Sequence, residues 1–141
     1  MASFVKLSEA CTLALHTMAF LACDDEGKLS ARELSVQLKA SFDHLSKVLQ
    51  RLTKADLVRP VRGPQGGFVL ARPAGEISLL DVVESIEGRM EPSSCPLSKP
   101  FCPTGGCALG CVMKDVEAKL SGHYSKTSLE QLCQAIKKEN S

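Results

Sequence analysis

The chain has 141 residues, 44% of them hydrophobic, and a formal net charge of +1, which allows one domain with a real core and excludes two independent ones. No run of eighteen apolar residues occurs, so no helical membrane span is expected. Seven cysteines is an odd number and no convincing export signal precedes them, so a disulfide-stapled secreted scaffold is a poor reading and the reducing cytoplasm a better one.

Helix start signals recur along the chain, each just ahead of an apolar pattern of helical period. Ser8 precedes Leu13, Ala14, His16, Thr17, Met18, Phe20 and Leu21, a first helix expected to be largely buried. Ser30 with Glu33 forms a capping box for a short second helix. Ser41 caps a third, in which Phe42, Leu45, Val48, Leu49 and Leu52 form one apolar stripe opposite His44, Lys47, Gln50, Arg51 and Lys54. After Asp56 the period changes to that of strands, and Leu57–Arg62 and Phe68–Ala71 read as a two-stranded hairpin around the turn Gly63-Pro64-Gln65-Gly66-Gly67. Ser78 with Asp81 opens a helix that runs to about Glu87, and Gly88 ends it. A cysteine-bearing loop follows. Helical period returns from Ala108 to Ser121, Gly122 is expected to stop it, and Thr127 with Glu130 opens a last amphipathic segment.

Three helices followed by a hairpin with a glycine-rich tip is the order of a winged helix-turn-helix, whose third helix enters the major groove of duplex DNA. Charge supports this assignment. From Lys28 to Arg72 there are nine Lys and Arg against three Asp and Glu, a local net of +6 that leaves −5 elsewhere. Lys47, Arg51, Arg59 and Arg62 fall on the third helix or the wing, where cations facing phosphates release counterions and supply affinity. Ser41, Asp43, His44 and Lys47, near the start of the third helix, are the candidates for reading bases. Gln65, Gly66 and Gly67 at the wing tip are candidates for close approach to the backbone.

Four of the seven cysteines, Cys95, Cys102, Cys107 and Cys111, lie within seventeen residues in a loop rich in Pro and Gly. Such a loop can bend so that thiolates converge on one soft metal centre. Zinc fits poorly, because structural zinc favours paired CxxC knuckles and none occurs here. An iron–sulfur cluster tolerates wider spacings, and a bare thiol–disulfide couple stays open. Cys11, Cys23 and Cys133 stand singly in helical patterns and read as core residues.

The segments HLSKVLQRLTKADLVRPVRGPQGGFVLARP and ISLLDVVESIEG, followed by a cysteine loop and a long helix, resemble the IscR/NsrR family of bacterial winged-helix regulators. The resemblance spans about Lys6 to Leu132. It implies a mainly α fold with a small β-hairpin: a winged-helix head over 1–88, a cluster-binding loop over 89–107, and a dimerisation helix with a C-terminal helix over 108–141. It also implies a homodimer on a palindromic operator, with Cys95, Cys102 and Cys107 holding an iron–sulfur cluster, 2Fe-2S by resemblance and 4Fe-4S kept open. Six and then four residues separate these three here, whereas the family tends to have five and five. One branch of the family places a fourth ligand, His, where this chain has Gly110; Cys111 next door is preferred, with His16 from the partner subunit as the alternative and Cys11 third. The expected function is therefore a transcriptional regulator sensing redox, iron–sulfur or nitric oxide status. A cluster-free thiol switch is the alternative. An electron carrier would leave the basic head without a purpose, and no nucleophile, base and oxyanion-donor set marks an enzyme.

Overall fold

The computed structural model describes residues 6–90 and 108–141. Every α-helix of the first stretch begins at a serine. Ser8 accepts from the Cys11 N–H, Ser30 from Glu33, Ser41 from His44 and Ser78 from Asp81, all at 3.1–3.2 Å. Each bond satisfies a donor that no helical carbonyl can reach. At two of the caps the reciprocal bond also forms, with Glu33 accepting from the Ser30 N–H at 2.7 Å and Asp81 from the Ser78 N–H at 3.0 Å. The helices so started are α1 (Glu9–Cys23), α2 (Ala31–Leu38), α3 (Phe42–Lys54) and α4 (Leu79–Glu87).

The expected hairpin is part of a three-stranded antiparallel sheet of order β1-β3-β2, formed by β1 (Lys28–Leu29), β2 (Val58–Val61) and β3 (Gly67–Leu70). Two residues are too few to show an alternating pattern, so β1 is invisible as sequence. It is recruited because Lys28 and Leu29 pair with Val69 and Phe68. Pro60 stands opposite Phe68 on the edge strand β2, where its missing N–H interrupts nothing.

One core serves the whole head. Met18 of α1, Leu34 of α2, Leu45 and Leu52 of α3, Ile77 and Val82 of the α4 region are fully buried together. Thr17 is also buried, and its hydroxyl donates to the Leu13 carbonyl at 2.8 Å, so α1 carries no unsatisfied polar atom into the core.

The C-terminal arm departs from expectation at its hinge. Helix α5 (Ala108–Lys126) runs through Gly122, and α6 spans Leu129–Glu139. Glycine alone weakens a helix without ending it. What ends α5 is the next cap, one residue later than Thr127 with Glu130: Ser128 accepts from the Gln131 N–H at 3.2 Å while Gln131 accepts from the Ser128 N–H at 2.9 Å. The arm then attaches to the head through backbone. The Leu79 N–H donates to the Thr127 carbonyl and the Leu129 N–H to the Ile77 carbonyl, both at 2.9 Å, placing Ser78 opposite Ser128. Leu129 inserts fully into the core beside them.

Truncating that anchor tests the attachment. Leu129→Ala is expected to cost about 3 kcal/mol, read as a lowered urea midpoint with earlier loss of amide protection in α6 than in α3.

Candidate nucleic-acid interface and thiol positions

Successive residues of a helix advance by about 100°, and in α3 the buried side chains Leu45, Val48, Leu49 and Leu52 define one face. The opposite face is centred on Asp43, Lys47, Gln50 and Lys54, all exposed. Two flanks remain, and they differ chemically. On one, His44, Lys47, Arg51 and Lys54 border a groove with Ala10 of α1. On the other, Phe42, Ser46, Gln50 and Thr53 border a mainly apolar groove with Ala31 and Phe68.

This geometry redistributes the sequence-derived candidates. Asp43 and Lys47 stand on the outward face, and Asp43 lies in the first turn, where the helix dipole favours a carboxylate. Ser41 is committed as the α3 cap, its hydroxyl oxygen accepting from His44. Arg51 leans towards the head: its guanidinium donates to the Ile86 carbonyl in the last turn of α4 at 3.3 Å, a cation at a helix C-terminus. Phe42 is not part of the apolar stripe, being 53% exposed at the first position of α3. Reading the helix by its buried centre brings out Gln50, Ser46 and Phe42 as outward candidates. The apolar character of Phe42 concealed it.

On the wing, Arg59 and Arg62 are exposed, and Arg59 borders a shallow depression with Asp24, Asp25 and Glu26. Gln65 is exposed at the tip, where the Gly66 N–H donates to the Gly63 carbonyl at 3.0 Å. The glycines at 66 and 67 answer to the protein's own backbone. A Cβ on Gly67 would stand 2.7 Å from the Leu29 carbonyl oxygen, and one on Gly66 2.9 Å from that of Gly63. Close approach of β1 requires the first and the tight turn requires the second.

Of the proposed metal ligands, Cys95, Cys102 and Cys107 lie outside the described residues, as does most of the 89–107 loop. Cys111 is a free, exposed thiol in the first turns of α5. His16 is exposed on α1, with Nδ1 2.7 Å from the Thr12 carbonyl oxygen. It shares a groove with Glu9, Ser41 and His44, beside the start of α3. Cys11 is fully buried, and burial first, then the Glu87 carboxylate, push its thiol from 9.0 up to about 11. At neutral pH it stays protonated and a poor nucleophile. Cys23 and Cys133 are not separate core residues: they are joined as a disulfide, with Cα atoms 5.4 Å apart and 110 residues between them in sequence. No local spacing could have indicated that pairing. Among the described residues no three His, Cys, Asp or Glu side chains converge on a metal site, and no helix is long and apolar enough to cross a membrane.

Comparisons with known proteins agree with this geometry. The profile of the Rrf2 family, described as an iron-dependent transcriptional regulator, matches residues 7–135. The chain is 30% identical over 121 residues to the HTH-type transcriptional regulator IscR of Xenorhabdus nematophila, covering 85% of this chain and 69% of that protein. Its fold is similar to that of CymR (YrzC), the global cysteine regulator of B. subtilis, with a TM-score of 0.81 and 23% identity over 94% of this chain and 98% of that one. It is also similar to T. potens IscR, with a TM-score of 0.80 and 24% identity over 98% and 93% of the two chains. At these identities the structural likenesses speak for the shared winged-helix fold alone.

The glycine analysis gives a direct test. Gly67→Ala is expected to push β1 from β3 and cost about 1–3 kcal/mol, seen as a lower thermal midpoint and loss of amide protection at Leu29 and Val69.

Proposed function

Because the chain belongs to the Rrf2 family of transcriptional regulators, we propose that it acts as a homodimer on a palindromic operator and senses redox, iron–sulfur or nitric oxide status through a cluster held by loop cysteines. The observation that carries this reading is where the cysteine segment is spliced. It joins α4, which meets the reading helix through Arg51 and Ile86, to α5. A group held by the cysteines of that segment is therefore linked through the chain to both.

The dimer reading rests on an uncovered face. Leu109, Val112, Met113 and Val116 of α5 are 39–59% exposed and recur at i, i+3, i+4 and i+7, the spacing of a helix–helix seam. A second copy paired along this stripe would relate the two heads by a two-fold axis, and a two-fold pair of reading helices matches a palindrome. Within each head, Lys47, Lys54 and Arg62 supply phosphate affinity, while Asp43, Gln50 and Ser46 face base edges.

The donor chemistry suits the group. Four thiols between 95 and 111 can supply the sulfur ligands that iron–sulfur clusters favour. Cys95, Cys102 and Cys107 are the proposed ligands by family resemblance. Cys111, free and exposed at the root of α5, is the proposed fourth, and the Nε2 atom of the partner subunit's His16 is the alternative. When bound, the cluster supplies a redox-active charge centre of the 2Fe-2S or 4Fe-4S type. The chain's own part is mechanical: fixing 89–107 sets the direction in which α5 leaves α4, and so the separation of the two heads. Coupling of about 1–3 kcal/mol between the loop and operator binding is enough for regulation.

Two measurements test this. Cys102→Ala, purified without oxygen, is expected to lose the visible absorbance of the wild type and the redox response of operator binding; a variant keeping both removes the loop as sensor. A colourless wild type whose binding still follows redox state would favour the thiol–disulfide switch. In salt titrations of operator binding, Lys47→Ala is expected to make the slope of log K against log salt shallower by about two per dimer. Arg51→Ala should change that slope less and the melting temperature more.

A further inference from the structure

The Cys23–Cys133 pair belongs neither to the reading face nor to the 95–111 segment. Cys23 is the last residue of α1, half-buried, while Cys133 lies one turn into α6 beyond Leu129 and is 7% exposed. Both Cα positions are set by contacts that do not involve sulfur. Helix α1 is fixed by the central core, and α6 by the Ile77–Leu79 pairing with Thr127–Leu129. A Cα separation of 5.4 Å falls within the range a disulfide spans, so the two sulfurs meet without moving either helix.

We propose that Cys23 and Cys133 form a second, reversible thiol–disulfide site, a clasp that locks the C-terminal arm to the reading head in response to hydroperoxide. The half-buried Cys23 is the sulfur an oxidant reaches first. Its thiolate attacks the peroxide, the O–O bond breaks, and Cys23 becomes a sulfenic acid as the peroxide leaves as water or alcohol. The Cys133 sulfur then attacks the sulfenic sulfur, forming the S–S bond and releasing water. Two thiols are thus oxidised as one peroxide is reduced. A dithiol reductant reverses the bond by exchange.

Closing the clasp joins residues 110 apart, and so restricts the unfolded chain strongly. It also holds α6 at a point other than its first turn. Only Thr127 and Ser128 separate α6 from α5, so an immobilised α6 fixes the direction of α5. The consequence for operator binding rests on the regulator reading above: closure moves neither helix, so it acts by suppressing the local openings of α6 that let the two heads depart from the separation a two-fold site needs.

The test uses the full chain with the four loop thiols replaced (Cys95→Ser, Cys102→Ser, Cys107→Ser, Cys111→Ser), before and after hydrogen peroxide and again after dithiothreitol. Expected are a mass lower by two hydrogens, a cross-linked peptide pair containing Cys23 and Cys133, and a melting temperature higher by about 10 °C, all reversed by the dithiol. Adding Cys133→Ser should abolish these and leave a sulfenic acid at Cys23 that a cyclic diketone traps. Operator affinity should rise several-fold on closure. If the four-serine chain does not fold, non-reducing peptide mapping and melting of the wild type give the same reading. The clasp is overturned if both thiols remain alkylatable after peroxide, if either pairs elsewhere, or if the bridge forms without moving the melt. Equal operator affinity of closed and open forms overturns its regulatory role. A wild-type chain, reduced and with its loop cysteines intact, that binds no DNA while bridge and melt of the four-serine chain are as expected sinks the regulator reading and leaves the clasp standing.

Discussion

Two backbone hydrogen bonds, between Ile77–Leu79 and Thr127–Leu129, decide how the rest of this molecule is arranged. Helix α4 and helix α6 start side by side there, each from a serine whose capping box is complete. The caps satisfy the N–H groups of Ser78, Asp81, Ser128 and Gln131, and the first helical N–H groups, those of Leu79 and Leu129, find their acceptors across the pair. The chain thereby returns to its own head after the long excursion of α5. Without that return, Leu129 would have no core to enter and α5 would keep only its packing against α4.

A helix attached at both ends is a different device from a free one. Its first turns follow the cysteine segment, its last turn leads into a docked α6, and its apolar stripe faces outward between these points. The head offers a matching division of labour. One flank of α3 is tied to the end of α4 by Arg51, while the other side, with Asp43, Gln50 and Phe42, stays clear of the core.

The head was legible in the sequence because each element announces itself locally. Serine caps with Glu33 or Asp81 three residues on mark starts, the stripe of α3 marks its buried face, and the change of period after Asp56 marks the sheet. What sequence concealed is non-local or contrary to residue type. Strand β1 exists only because β3 is beside it, Gly122 is carried by a helix whose stop signal comes later, and Phe42 is apolar yet exposed. Arg51 looked like its neighbours Lys47 and Lys54 until the end of α4 appeared beside it. The pairing of Cys23 with Cys133 depends on two helices brought together by a bridge at Ser78 and Ser128, which no spacing rule contains. The 95–111 cysteines illustrate the converse: their clustering is plain in the sequence, and their meaning rests on chemistry and kinship.

The proline at position 60 bears on a different matter, the behaviour of many copies crowded together. Among the described residues, strand β2 pairs with β3 on one side and with no strand on the other, and an unpaired strand margin is a template for runaway association. With Pro60 in its middle and charged Arg59 beside it, that margin cannot propagate a continuous ladder. β1, at the opposite margin, is only two residues long. Neither border of the described sheet offers another copy a long unbroken ladder to extend, which leaves the sheet a poor seed for polymerisation.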